Sequence, residues 1–368
     1  MRILYVGTLS PFGTCYSRFC SLRKLEPDTH GFDTDQHLDW DHAGPVHRAL
    51  ETHLLSGPRH RRANAALIAT CRELRPAVVW VDTGVWIWPS TLRQLKQQGC
   101  FLVEHITDAL IARHWRVRLK RRLLQTTAHL YDVFFTTNVD DQELMSASAP
   151  PKALLTDLGY DDQRFEPTPL PRELAAKWAN PLVFIGHYEP HTEAGILALI
   201  DAGLPVVVYG HPPWFASPNR AKLGNRLQPS LGNEDYARAL KGAAIGLCFV
   251  SVLNYNQTSA RSFEIPGSGT FLLAVRTPQH SACFEEGQEA EFFGDHAELV
   301  RKAAYYLEHQ AEREAIALRG QQRCMASGYS WDRLMARDWP QVLQVHADHR
   351  RPQGAPPHGT PEEQARYG

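Results

Sequence analysis

Short apolar runs alternate along the chain with longer stretches in which apolar residues recur every three or four positions. The short runs suit buried strands and the longer ones amphipathic helices, so their alternation predicts βαβ units around parallel sheets. In the first half, strands are expected at residues 3–6, 77–81, 100–103, 132–136 and 152–155, with helices at 15–25, 63–74 and 89–98. Phe19, Leu22 and Leu25 keep helical spacing in the first helix. Pro89 stands where a helix start tolerates it, and Gly99 follows the end of the same helix.

Turn residues and prolines crowd residues 159–167, which places a linker at about 160–178. The pattern then restarts, with strands expected at 181–186, 204–209, 244–250 and 270–275 and helices at 192–202, 233–242, 258–266 and 297–309. Residues 310–345 read as helical with breaks near Gly328 and Pro340. Residues 349–368, rich in proline, glycine and charge, read as a disordered tail. Two successive α/β sets predict an α/β protein of two doubly wound, Rossmann-like domains, residues 1–165 and 166–328.

Composition narrows the function classes. The net charge is −1 over 368 residues, so no overall field draws in nucleic acid or an anionic membrane. The seven cysteines are scattered, odd in number and without a C-x-x-C pair. That argues against a disulfide framework and a structural zinc site, and for a reducing, cytoplasmic setting. No run approaches the ~20 apolar residues of a membrane span. One local exception is the basic run opening on Arg113 and closing on Arg122. It is either a solvated helix face or a peripheral contact at the inner face of the membrane.

Ligands of open α/β sheets bind beyond the carboxyl ends of the strands, which selects the loops after residues 6, 81, 103, 185, 209 and 250. No Walker A sequence, G-x-G-x-x-G fingerprint, H-E-x-x-H motif or metal-ligand spacing occurs in them, so no metal and no resident cofactor is expected. The most informative segment is Arg261-Ser262-Phe263-Glu264-Ile265-Pro266-Gly267-Ser268-Gly269. Arg261 and Glu264 are three apart and share a helix face. A guanidinium can pair with phosphate oxygens and a carboxylate can accept both ribose hydroxyls, so the pair suits a nucleoside diphosphate. The bland reading of the same spacing is a surface ion pair.

That segment resembles the R-x-F-E-x-x-x-x-G motif of the spore-maturation-protein (CgeB) branch of glycosyltransferases, within the broader family 4-like group. Leu158-Gly159-Tyr160-Asp161 with Arg164-Phe165-Glu166-Pro167 resembles the group's interdomain signature. Val183-Phe184-Ile185-Gly186-His187-Tyr188-Glu189-Pro190-His191 resembles its V-F-I-G-x-Y-E-P-H strand and turn. The resemblance implies a GT-B architecture, two Rossmann-like domains facing a central cleft, with residues 329–348 crossing back to the first domain. It implies a glycosyltransferase of the hexosyl type, retaining and metal-independent, acting from a nucleotide-sugar donor. The acceptor, whether glycan, lipid-linked or protein, stays open.

On this mapping Glu264 holds the donor ribose, Arg261 faces the diphosphate and its developing charge, and Gly186 lets backbone approach the phosphates. His187, Tyr188, Gly210, Asn256, Thr258, Gly267 and Gly269 complete the donor side. His105 and Asp108 are the catalytic candidates of the first domain, on a loop after its strand at 100–103, and Gly7, Gly13, Asp82 and Asp108 form the acceptor side. One departure is Asn256, where family 4-like enzymes often carry a glutamate. Two further readings share the cleft: a GT-B nucleotide-sugar epimerase or phosphorylase, and a degenerate protein that binds a nucleotide sugar without turnover.

Overall fold

A computed structural model of the chain describes residues 1–11, 13–39, 44–110, 115–146, 151–252 and 256–350. The apolar runs become strands buried on both faces, as parallel sheets require. The first half supplies β1 (Ile3–Gly7), β2 (Thr29–Asp33), β3 (Val78–Asp82), β4 (Phe101–Ile106), β5 (Val133–Thr136) and β6 (Lys152–Leu155). The second half supplies β7 (Asn180–Gly186), β8 (Val206–Gly210), β9 (Leu227–Pro229), β10 (Ala243–Cys248), β11 (Phe271–Val275) and β12 (Glu291–Phe293). They form two six-stranded parallel sheets, ordered β2-β1-β3-β4-β5-β6 and β12-β11-β10-β7-β8-β9. Edge strands β2, β9 and β12 escape the sequence pattern because they are short or polar. Thr29-His30-Gly31-Phe32-Asp33 buries little on either face, and β9 and β12 are three residues each.

Each sheet carries apolar clusters on both faces. Leu4, Val6, Val79 and Leu102 face one way in the first sheet, and Ile3, Tyr5, Trp80 and Val103 the other. The helix Trp331–His349 packs on that second face through Met335, Trp339 and Val342, so the end of the chain is built into the first domain's core. Pro340 does not break this helix, contrary to the sequence reading. A proline inside a helix costs about 3 kcal/mol, and the burial of Trp339 and Val342 on either side offsets it. The expected break near Gly328 is present: Gly328 has φ +70° just after the helix Gln310–Ala326.

The linker and the returning helix run side by side. Tyr160 N–H donates to the Tyr329 carbonyl (3.2 Å) and Trp331 N–H to that of Tyr160 (2.9 Å). The linker also holds the short helix Arg172–Trp178, where no element was expected. Residues 351–368, most of the expected tail, lie outside the described residues. Among the described residues no helix is long and apolar enough to cross a membrane.

Candidate functional site

In the second sheet the strand order reverses between β7 and β10, which makes the carboxyl ends of these strands the place where such sheets bind ligands. β7 delivers Gly186 there and β8 delivers Gly210, directly paired across the ladder. The next residues, His187 and His211, therefore stand side by side, with ring centroids 4.7 Å apart and planes within 15°. Arg261 begins the helix Arg261–Gly267 beyond β10. A Cβ on Gly186 would lie 3.2 Å from its guanidinium carbon, so glycine is what permits this approach. Arg261 Nε is buried without a hydrogen-bond partner, and no ion pair of Arg261 occurs among the described residues. A half-buried guanidinium with an unmet Nε–H, lying over the Phe184 ring (5.8 Å) at a strand end, is suited to receive an anion.

One helical turn deeper, Glu264 is 7% exposed and accepts the Tyr236 hydroxyl proton. Burial raises its carboxyl above the ordinary value, opposed by the Tyr236 hydrogen bond and by the charges of Arg261 and Arg164. Arg164 lies over the Phe165 and Tyr236 rings at 5.1 and 5.2 Å. The sequence pattern placed Arg164 only in the linker signature. The first helix turn thus presents a cation to the strand ends and a carboxylate between two guanidiniums.

Buried networks hold these loops. Glu193 accepts from the Ser217 hydroxyl, the Asn219 amide (3.0 Å) and the Tyr188 hydroxyl (3.2 Å), tying the turn after β7 to the loop after β8. Tyr188, expected among donor ligands, is spent in this brace and sits edge-on to Trp214. Below Arg261, fully buried His280 donates Nδ1–H to the Val275 carbonyl (2.7 Å), a tautomer assigned from the network, and its Nε2 takes the Ser262 hydroxyl (2.7 Å). Ser262 Oγ in turn accepts the Ser259 N–H (2.9 Å) and fixes the entry to the helix.

Three glycines assigned to the donor side have other work. A Cβ on Gly210 would meet the Trp214 ring at 2.2 Å, and one on Gly267 the Tyr160 ring at 2.5 Å. Both are packing contacts. Gly269, with φ +80°, ends the helix at the opposite, amino end of β11.

The first domain corrects the sequence reading further. His105 lies inside β4, not on a loop after it, and is 2% exposed between Trp80 and Phe135. Burial, with the Arg18 charge beside it, drives its imidazole down to about 3. Asp82 is buried under a bidentate pair from Arg18 (2.8 and 2.9 Å) and a hydrogen bond from the Tyr5 hydroxyl (2.5 Å). Burial alone would raise its carboxyl, but Arg18 and His105 hold it at about 2. Gly7 packs on Asp82, where a Cβ would come within 3.2 Å of the aspartate Cβ. Gly13 closes the turn before the helix Thr14–Leu25, its N–H on the Ser10 carbonyl (3.1 Å). His105, Asp82 and Gly7 therefore do not reach the cleft.

Asp108 does. Its half-exposed carboxylate pairs with Arg121 at 3.0 Å and acts on the charge of His187 in the facing domain. Beside it a cavity of 550 Å³ opens between the domains, walled by Thr137, Asn138 and Asp140 on one side and Asn256, Thr258 and Gln279 on the other. Thr137 Oγ1 donates to the Thr107 carbonyl (2.9 Å), which joins this wall to the Asp108 loop. Thr258, 2% exposed, reaches Gln279 at 3.5 Å, and the helix expected from residue 258 starts at Arg261 instead. Of the basic run, Arg121 holds Asp108 and Arg122 donates to the Leu54 carbonyl (3.1 Å). Arg113, and with it the surface that would meet a membrane, lies outside the described residues. Among the described residues no group of three His, Cys, Asp or Glu side chains is arranged to hold a metal ion.

Comparison with known proteins places this geometry. The model of the glycosyl transferase-like family matches residues 194–337, a span that includes Arg261 and Glu264. No curated protein sequence matches the chain. Among solved structures it is similar to sucrose-phosphate synthase from Thermosynechococcus elongatus, at 12% identity and a TM-score of 0.69, over 95% of this chain and 100% of that one. It is similar to HepE of Anabaena in complex with UDP and glucose, at 12% identity and 0.67, over 94% and 100%. Trehalose 6-phosphate synthase from Burkholderia multivorans follows the same course at 12% identity and 0.62, over 95% and 99%. The chain has the GT-B fold: two Rossmann-like domains facing a cleft.

Proposed function

We propose that this protein is a glycosyltransferase that takes a hexosyl group from a nucleotide-diphosphate sugar, with retention at the anomeric carbon and without a metal ion, and that it belongs with the CgeB-like branch. The observation that carries the proposal is the Arg261 guanidinium, its Nε–H without a hydrogen-bond partner and its face close against Gly186 at the switch point, with the Glu264 carboxylate one turn deeper. A ribose-diphosphate unit fits that pair: hydroxyls on Glu264, phosphate oxygens on Arg261. The match of the glycosyl transferase-like family over both residues supports this, as does the UDP bound by HepE on the same fold.

When the bond from anomeric carbon to diphosphate breaks, negative charge gathers on the leaving oxygen. Arg261 is already in place to meet it, and a preorganised donor of this kind contributes about 3 kcal/mol to lowering the barrier. The acceptor hydroxyl comes from the first-domain side, where Asp108 faces the donor half and the Thr137–Asn256 cavity gives it room. Closure of the two domains excludes water from a donor that water would hydrolyse.

A thermal-shift screen of nucleoside diphosphates and nucleotide sugars tests the reading. A ligand at 100 times its Kd adds about 2.7 kcal/mol of stability. One diphosphate should stabilise the wild type and lose that effect in Arg261→Ala. Donor turnover with product analysis then separates transfer from isomerisation of the nucleotide sugar. A chain that no nucleotide stabilises would end the proposal.

A further inference from the structure

We infer that His187 and His211 form a proton-linked clamp on the donor diphosphate: the pair takes up a proton as the anion enters, so the site grips nucleotide sugars more tightly in mild acid than in mild base. The inference rests on the nucleotide-sugar reading above and adds a ligand, His211, that the sequence pattern did not mark.

Placement comes first. The Gly186–Gly210 pairing of β7 and β8 puts the two imidazoles one residue past the strand ends, on the rim that Arg261 flanks. They stack at 4.7 Å and 15°, close enough to share one anion between them. Both are more exposed than His280 and His105, which are buried among fixed partners.

Charge balance gives the direction. A nucleotide sugar presents a diphosphate diester, a dianion that does not titrate near neutrality. Arg261 supplies one fixed positive charge at the strand end, so one charge is left to be met. In the ligand-free site His187 resists supplying it. Burial, the stacked neighbour His211 and the Arg261 charge all hold the His187 imidazole below its ordinary value, against the smaller pull of Asp108 across the cleft and Glu189 two residues along. Asp108 is itself engaged by Arg121, which blunts that pull. An entering dianion reverses the local field, and protonating one imidazole of the pair then becomes favourable.

Calorimetric titration of the full chain with UDP-glucose, UDP-N-acetylglucosamine, GDP-mannose and ADP-glucose tests this. These diesters do not ionise between pH 5.5 and 8.5, so any proton taken up belongs to the protein. For whichever binds, Kd should tighten about five- to ten-fold from pH 8 to pH 6. Runs in two buffers of different ionisation enthalpy should show uptake of up to one proton. His187→Gln and His211→Gln should each lower the uptake, and the double variant should bind with a pH-independent Kd near the wild-type value at pH 8.5. If a variant folds poorly, the wild-type proton count still decides, with imidazole NMR signals titrated with and without ligand as the assignment. Binding with no proton uptake and no pH dependence would overturn the clamp and leave the donor reading standing. So would an uptake unchanged in the double variant. Absence of binding at every pH would remove both.

Discussion

The two domains repeat one design and use it differently. Each first strand ends in a glycine at the strand-order switch, Gly7 against Asp82 in one and Gly186 against Arg261 in the other. In the first domain, Arg18 comes from the helix after β1, finds Asp82 at the end of β3, and is capped by the Trp331 ring at 4.6 Å. The pair is 2% and 0% exposed, so the crevice is filled by the protein's own ions. In the second domain no carboxylate among the described residues pairs with Arg261, and its Nε–H is left for a ligand. A switch point is therefore a place where a ligand can bind, and an internal counter-ion decides whether it does.

Breaking the filled pair is expected to give the largest effect. Arg18→Met leaves Asp82 as an uncompensated buried charge, which costs about 3–5 kcal/mol. Urea unfolding should report that loss. Arg261→Met leaves the buried Glu264 still held by the Tyr236 hydroxyl and Arg164, so it should cost clearly less stability than Arg18→Met while nucleotide-sugar binding fails. Equal stability losses in both variants would erase the distinction between the two crevices.

The same contrast explains what the sequence could reveal. Residues 3–6 and 181–186 read as strands because buried parallel strands are continuous apolar runs, and the loops after them could be located by rule. Arg261 and Glu264 were legible as a pair because they lie three apart on one helix. Asp82 and His105 looked equally exposed in sequence, at strand ends in the first half. Their burial depends on Arg18 and Trp331, hundreds of residues apart, meeting over them. His211 was invisible for a related reason: its place beside His187 follows from the β7–β8 register, a long-range pairing that no local spacing encodes. Gly210 and Gly267 misled because a glycine beside a ligand and a glycine beneath an aromatic ring look alike in sequence.

The filled crevice also has a signature in acid. The folded value of His105 is about 3, below the roughly 6.5 of an unfolded histidine, so the unfolded chain takes the proton first. Stability from this group is complete above that unfolded value and drains as pH falls toward 3. Between pH 6.5 and pH 5 the loss should be about 2 kcal/mol. Glu104, its neighbour on the opposite face, acts with the other sign, because burial pushes its carboxyl up. The difference between wild type and His105→Phe isolates the histidine: the variant should lose the downward slope between pH 6.5 and 5 in urea midpoints. Parallel pH profiles would place His105 in contact with solvent and reopen it as a cleft residue.

The paired glycines give the smallest and sharpest test. An added Cβ on Gly7 would press on the Asp82 Cβ at 3.2 Å, inside a closed ion pair. One on Gly186 would sit 2.9 Å from the Phe184 ring and 3.2 Å from the Arg261 guanidinium, and the guanidinium is the group free to give way. Both alanine variants should therefore lose about 1 kcal/mol of stability from overpacking. Only Gly186→Ala should also weaken nucleotide-sugar binding, by about tenfold, because it turns Arg261 away from the strand end while leaving its charge in place. Gly7→Ala should bind as the wild type does. If Gly7→Ala were the variant that lost affinity, the ions filling the first crevice would have to open for the donor, and the second domain would no longer be its sole grip.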